Sequence, residues 1–301
     1  MPITDPDWPR ADVWLASESN DPDVLVVGVP SSKASLSPSR ADLAPLVVRD
    51  RLHRFSTYQG ELGVDFADVR VRDVGNWPVS ELDRVPLVGE MMRLASGLPD
   101  ADLTLFLGGD NAITRPLVAS QSDDLARVGL ITFDAHHDVR SLENGPTNGT
   151  PVRGLVEEHG LPGQNIVQIG IHSFANSAIY RAYCDANGIT TVTVDQVERI
   201  GMKATVDVAI SQLSATCESI YVDVDIDVLD RAFAPACPGA RPGGLTVRQL
   251  TAGVVRSAAH PSVTAMDFVE VDPEADIDHQ TMDVMAHLLL SAVVGYATRS
   301  H

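Results

Sequence analysis

Eight apolar, β-branched runs constrain the fold of this chain more than any other feature. They are DVLVVGV (23–29), VRVRDVG (69–75), LTLFLGG (103–109), VGLITFDA (128–135), NIVQIGIH (165–172), ITTVTV (189–194), SIYVDVDIDVL (219–229) and VTAMDFVEV (263–271). Most are nearly continuous rather than alternating, the pattern of parallel strands covered on both faces. Between them lie segments of helical character, among them 79–97, 173–187, 246–260 and 279–299. Strand and helix therefore alternate, which predicts an α/β protein: a three-layer αβα sandwich around a mostly parallel sheet of about eight strands. A chain of 301 residues has room for one large α/β domain or two small ones. No Gly/Ser linker, repeat or low-complexity tract divides it, so one domain over residues 1–301 is expected, with 1–22 as an N-terminal extension. The Pro/Gly-rich stretch 230–246 follows a strand directly and leads into a helix, which marks an ordered loop at a ligand site rather than a linker.

Charge and composition narrow the partners. The net charge of −19 opposes binding to nucleic acid or to an anionic membrane through any broad surface patch. No apolar stretch has the uninterrupted length of a membrane span. The N-terminus, MPITDPDWPRADVW, lacks the basic start and apolar centre of a signal peptide. Three cysteines, Cys184, Cys217 and Cys237, form no CxxC and leave one unpaired, so a reducing, cytoplasmic setting is expected.

Ligand sites in open parallel sheets gather beyond the carboxyl ends of the strands, and acidic residues collect there in this sequence. FDAHHDVR (133–140) sets Asp134, His136 and Asp138 two residues apart. YVDVDIDVLD (221–230) does the same with Asp223, Asp225 and Asp227, and Asp230 follows in a turn. Alternate side chains of a strand share a face, so each run can grip one ion and two adjacent runs can hold two. Packed carboxylates repel strongly unless cations neutralise them. One such run alone reads as solvated strand-end caps; two, with a histidine between them, point to a binuclear metal site. The oxygen and imidazole donors suit Mn²⁺ ahead of Ni²⁺, Zn²⁺ or Fe²⁺. His137 faces the other side and reads as a packing residue. Spacing alone leaves open which two of Asp223, Asp225 and Asp227 bind metal. Glu270, in FVEVDP (268–273), is either a strand-end salt bridge or a further site carboxylate. In LGGDNAITRP (107–116), Gly108 and Gly109 allow close backbone approach, while Asp110 reads as a helix N-cap and Asn111 as a turn residue. Arg140 serves either in a salt bridge or in holding an anionic substrate.

These motifs together resemble the ureohydrolase family of arginases, agmatinases, guanidinobutyrases and formimidoylglutamases. The resemblance runs from about residue 23 to 297, and FDAHHD, DIDVLDRAFAP with its following PGG, and GGDN are its most specific parts. It implies two divalent ions, Mn²⁺ foremost, held by Asp134, His136, Asp138, Asp225 and Asp227. Asp223 then stands behind the ligands, and Glu270 holds the amidine-type nitrogen of the substrate. Family members generally carry GGDH, whose histidine is a metal ligand; here the position is Asn111, and an amide oxygen binds a cation more weakly than imidazole does. Members acting on guanidines tend to have histidine before the GTP of a later loop, where TNGTPVRGL (147–155) places Asn148, a substrate contact without a histidine's proton chemistry.

HHDVR followed by NGTPVR resembles formimidoylglutamases within the family. The reaction so implied is hydrolysis of the formimidoyl C–N bond of N-formimidoyl-L-glutamate to L-glutamate and formamide. Asp138 would move the proton and Glu270 would orient the amidine. Arg140 is the first choice for the substrate carboxylates, with Arg153 second and Arg241 a further candidate. No organic cofactor is needed. A guanidino-acid hydrolase releasing urea is the alternative enzyme, and a metal-poor, non-catalytic binding homologue is the alternative that Asn111 motivates. The resemblance also implies a homo-oligomer, a trimer or hexamer.

Overall fold

The computed structural model describes Asp5 and residues 7–299, so residues 1–4 and 6 of the expected N-terminal extension, and residues 300–301, lie outside the described residues. Each of the eight apolar runs contributes one strand to a single sheet. These are β1 (Val24–Val29), β2 (Val71–Asn76), β3 (Leu103–Gly108), β4 (Val128–Phe133), β5 (Ile166–Ile171), β6 (Thr190–Thr193), β7 (Ser219–Asp225) and β8 (Val263–Val269). The spatial order is β2-β1-β3-β8-β7-β4-β5-β6, and every neighbouring pair is parallel. Every residue of β1, β4 and β5 is buried, which is why these runs are apolar without alternation.

Helices cover both faces, giving the three layers that the alternating pattern predicts. Helices Ala44–Arg51, Met202–Leu213, Val247–Ala258 and Gln280–Ala297 pack on one side; Arg84–Ala95, Thr114–Ala119 and Pro151–Glu158 pack on the other. Strand β1 shows the division: Val24 and Val26 enter the first core, Val27 and Val29 the second. Near the N-terminus, Trp14 meets Phe66 edge-on at 5.1 Å and donates from its indole to the Val69 carbonyl at 2.9 Å. Among the described residues no helix is long and apolar enough to cross a membrane.

Several element ends differ from expectation, for local reasons. The helix expected over 79–97 spans Arg84–Ala95, with Asp83 extended. Starting at 84 puts Pro86 in the first turn, where its missing N–H costs nothing; starting at 79 would bury it mid-helix. The helix expected over 173–187 begins at Ala178, because the Ser177 hydroxyl caps it at the Tyr180 amide. Strands expected to reach residues 135, 229 and 271 end at 133, 225 and 269.

Topology sets the site. The chain lays down β1 to β3, crosses over to β4, β5 and β6, then returns to fill the gap with β7 and β8. The carboxyl ends of β3, β8, β7 and β4 consequently lie side by side at the centre of the sheet, and each of the acidic motifs leaves one of them.

Candidate metal centre

Contrary to the alternation argument, most metal-ligand candidates do not sit on strands: Asp225 is the last residue of β7, while Asp134, His136, Asp138 and Asp227 lie in the turns just beyond β4 and β7. In both acidic runs one aspartate folds its own chain. Asp134 Oδ1 accepts from the His136 amide at 2.6 Å, and Asp225 Oδ1 accepts from the Asp227 amide at 2.8 Å. Such Asx turns end the ladder and bring the residue two positions on to the same side by a different route from strand pleating. Asp134, His136 and Asp227 can each direct a ligand atom so that all three atoms lie within 4.8 Å of one another. His136 Nδ1 is 3.0 Å from Asp227 Oδ2 and 3.4 Å from Asp134 Oδ1.

Asp138 and Glu270 complete the opposite flank, and both hold left-handed backbone conformations, with φ of 52° and 69°. Residues other than glycine do so at a cost of about 1–3 kcal/mol each, a strain that concentrates at functional sites. The turn after β3 joins them. Asn111 donates its amide N–H to Glu270 Oε1 at 2.7 Å and its side-chain Nδ2 to Asp138 Oδ2 at 2.7 Å, while its Oδ1 accepts from the Thr114 hydroxyl at 2.7 Å. Asn111 thus turns its NH₂, not the oxygen expected of a ligand, toward Asp138, whose Oδ2 accepts from it. Asp110 caps the same turn through the Ala112 amide and also accepts from the Ala34 amide at 3.0 Å, tying the loop after β1 to the site. The close approach that Gly109 permits is to this loop: a Cβ there would lie 2.2 Å from the Ser31 carbonyl.

The 230–246 stretch is ordered and lies on the site. A Cβ at Gly239 would fall 2.0 Å from Asp227 Oδ2, and Asp230 closes the loop base by accepting from the Ala232 and Gly243 amides. His137 points away into a buried contact with Gln168, Nδ1 to Oε1 at 2.7 Å. Asn176 clamps the ligand loop by accepting from the His137 amide and donating to the Ala135 carbonyl. No sequence signal marked Asn176, Gln168 or Thr114, since single polar residues in ordinary contexts carry no spacing pattern.

Asn148 accepts from the Leu36 amide at 3.0 Å and donates to Glu270 Oε1 at 2.9 Å. It, Arg140 and Arg241 line a cavity of about 130 Å³ above His136, Asp138, Asp225, Asp227 and Glu270. Arg140 and Arg241 are exposed, and among the described residues neither guanidinium has an ion-pair or hydrogen-bond partner. Arg153 is not brought to the mouth. It lies on the helix behind, paired with Glu157 at 2.9 Å and stacked 5.0 Å from the Tyr183 ring, because i,i+4 spacing offers it a nearer carboxylate.

The donor set fits divalent cations. Asp134, Asp138, Asp225, Asp227 and Glu270 are all buried, with His136 the one basic side chain among them. Burial, then neighbouring carboxylates, push Asp134 up to about 6 and Glu270 up to about 8, and raise Asp138 and Asp225 well above the usual range. The same carboxylates, Asp227 first, push the His136 imidazole up to about 12. Burial opposes ionisation of Asp227, yet His136 holds its pKa below the ordinary value. A pocket that charges its own histidine this strongly draws positive charge, and carboxylate with imidazole is a hard-to-borderline set.

A parallel α/β sheet whose four central strands deliver buried carboxylates and an imidazole to one point defines a protein of the metal-dependent hydrolase class. The chain belongs to the arginase family, whose model matches residues 22–295. It is 38% identical to a formimidoylglutamase of Halalkalibacterium halodurans over 91% of this chain and 88% of that one. The structure of a Bacillus subtilis formimidoylglutamase superposes with a TM-score of 0.92 at 34% identity, covering 100% of this chain and 96% of the other. A Trypanosoma cruzi formiminoglutamase solved with Mn²⁺ shares the fold, with a TM-score of 0.86 at 23% identity over 98% of this chain and 100% of that one.

Proposed function

We propose that this protein hydrolyses the formimidoyl C–N bond of N-formimidoyl-L-glutamate, releasing L-glutamate and formamide. The observation that carries the reading is the polarity of the cavity: an acidic, buried floor under a mouth bearing two guanidiniums without partners among the described residues. The substrate has the matching polarity, an amidinium at one end and two carboxylates at the other. Relatives named formimidoylglutamases, at 38% and 37% identity, support the same substrate.

Two divalent cations, Mn²⁺ by the character of the donors, would be held by Asp134, His136, Asp138, Asp225 and Asp227 and would supply a hydroxide nucleophile near neutral pH. Glu270 orients the amidine. Its Oε1 is occupied by Asn111 and Asn148, which leaves Oε2 to pair with an amidinium N–H and keep the reacting carbon in place. Asn148 therefore acts by setting Glu270 as well as by lining the cavity. Asp138 Oδ2 is held by Asn111, which leaves Oδ1 to take the nucleophile's proton and pass it to the departing amine. Addition of water across the amidine carbon and loss of that amine give formamide and glutamate in balance. Arg140 pairs with substrate carboxylate, and Arg241 takes the second position for which the sequence offered Arg153.

The protein is further proposed to work as one domain in the cytoplasm, as a trimer or hexamer, following the family resemblance; light scattering of the purified protein tests the assembly. The deciding experiment for the activity supplies Mn²⁺-reconstituted protein with N-formimidoyl-L-glutamate and, separately, with guanidino acids. Formamide and glutamate from the first support the reading. Urea from the second, with no formamide from the first, overturns the substrate and retains the metal chemistry.

A further inference from the structure

Arg140 needs more than exposure to serve an anion. A long side chain that swings freely loses rotamer freedom on binding, and that loss weakens the contact. Here the chain holds it. The Arg140 amide donates to the Gly149 carbonyl at 3.0 Å, which sets the two segments side by side. The side chain then crosses the bare Cα of Gly149. A Cβ there would lie 2.5 Å from Arg140 Cδ, 2.9 Å from Arg140 Nε and 3.0 Å from Leu36 Cδ1. Arg140 and Leu36 therefore close on the space that a side chain at 149 would fill, and all three residues line the cavity. The backbone itself does not call for glycine, because Gly149 is not at positive φ. What the position requires is room.

Two parts of the molecule could give way to a side chain at 149: the loop that carries it, or Arg140. The loop is tied down. Thr147 donates its amide to Thr150 Oγ1 at 2.8 Å, and that hydroxyl donates back to the Thr147 carbonyl at 2.9 Å. The Asn148 amide donates to the Ala34 carbonyl at 3.0 Å, and the Asn148 side chain joins the Leu36 amide to Glu270 Oε1. Arg140, by contrast, is exposed, and its guanidinium has no partner among the described residues. The flexible, unpartnered side chain relieves such a clash by swinging outward to another rotamer. Gly149 thus decides where Arg140 points.

We propose that Gly149 is a specificity-determining position: by giving its Cβ space to the Arg140 stem, it keeps the guanidinium in the cavity and so selects amidines with an anionic tail. The inference rests on the substrate polarity of the proposed function. Its test compares Mn²⁺-reconstituted full chains on N-formimidoyl-L-glutamate and on an N-alkylformamidine without a carboxylate, with L-glutamate binding read by calorimetry. In Gly149→Ala, KM for the dicarboxylate and Kd for L-glutamate should rise by about 10- to 100-fold, as in Arg140→Ala. The preference over the N-alkylformamidine should shrink by the same factor. The loss should fall in KM rather than kcat, whereas a displaced loop would lower kcat through Asn148 and Glu270. Arg140→Ala combined with Gly149→Ala should lie within about 2-fold of Arg140→Ala alone, because the two residues act through one contact. Unchanged KM and Kd in Gly149→Ala, a loss mainly in kcat, or a double variant in which the two losses multiply, overturns the inference. If Gly149→Ala does not fold by circular dichroism, removing the Arg140 side chain from the same chain should restore folding; a double variant that also fails to fold overturns it. An unmodified chain with no preference for the dicarboxylate overturns the substrate reading and this inference together. A selective unmodified chain with an equally selective Gly149→Ala overturns the inference alone.

Discussion

The floor and the mouth of the cavity solve opposite electrostatic problems within a few residues of each other. On the floor, Asp134, Asp138, Asp225, Asp227 and Glu270 are buried, and much of their hydrogen bonding runs to turn amides and to Asn111 and Asn148. At the mouth, Arg140 and Arg241 are exposed and have no carboxylate partner among the described residues, although the chain carries 41 acidic residues against 22 basic ones. Elsewhere arginines are drawn into pairs such as Arg49–Asp73 and Arg51–Asp283. The contrast teaches that net charge is a poor guide to the ligand. A chain of −19 can still keep two guanidiniums free where an anion enters, because selection acts on local geometry and the global field is screened within about 10 Å at ordinary salt.

The most severe way to break the comparison is to strip the floor of cations. Treatment with a chelator should abolish turnover, and Mn²⁺ should restore it; activity that survives with no metal by elemental analysis would sink the floor's assigned role. Next in size is Asp138→Asn. Removing the group assigned to proton movement should lower kcat by about 10²- to 10⁴-fold, measured as formamide release. A variant within a fewfold of the unmodified protein would move the proton role elsewhere.

The mouth should respond differently. Arg140→Ala removes a charge-assisted contact of about 1.5–3 kcal/mol, so KM should rise by roughly 10- to 100-fold with kcat little changed. Arg241→Ala should act in the same direction, its guanidinium also lining the mouth. Arg153→Ala serves as the control and should leave KM unchanged, since Glu157 and Tyr183 already occupy its guanidinium. If Arg153→Ala raised KM as Arg140→Ala does, the mouth would have been assigned to the wrong residues.

The different legibility of floor and mouth follows the same division. Near-continuous apolar, β-branched runs announce parallel strands covered on both faces, so all eight and their layers were readable. The acidic runs were readable because carboxylates packed at strand ends need a compensating cation. The mechanism of their convergence was not: alternation on a strand predicts a shared face, whereas Asx turns at Asp134 and Asp225 deliver it. Arg153 and Arg241 show the limit at the mouth. Both are plausible countercharges in sequence, and the choice depends on whether a helix places a glutamate four residues on, a local pairing that outcompetes the cavity. Thr114 and Asn176 left no trace because their value lies wholly in what they touch.

The smallest effect concerns the stability of the metal-free floor. Glu270 is raised from an ordinary 4.5 up to about 8 by burial and neighbouring carboxylates, and Asp134 from 3.8 up to about 6. Between the ordinary and the raised values the folded protein binds more protons than the unfolded chain, so stability is full at the acidic end and falls as pH rises. His136 contributes in the same sense above its ordinary 6.5, because it stays protonated in the fold up to about 12. Asp227, held low by His136, works in the opposite direction only below its ordinary 3.8. Metal-free protein should therefore melt at a lower temperature near about pH 8 than near about pH 5.5, as read by calorimetry. Saturating Mn²⁺ should flatten or reverse that slope, since cations replace protons as the compensating charge and bind the ionised floor. The mouth predicts no such exchange, because Arg140 and Arg241 have no carboxylate partner among the described residues. An equal slope with and without Mn²⁺ would place the pH dependence outside the floor and remove the physical basis for treating the two regions as opposites.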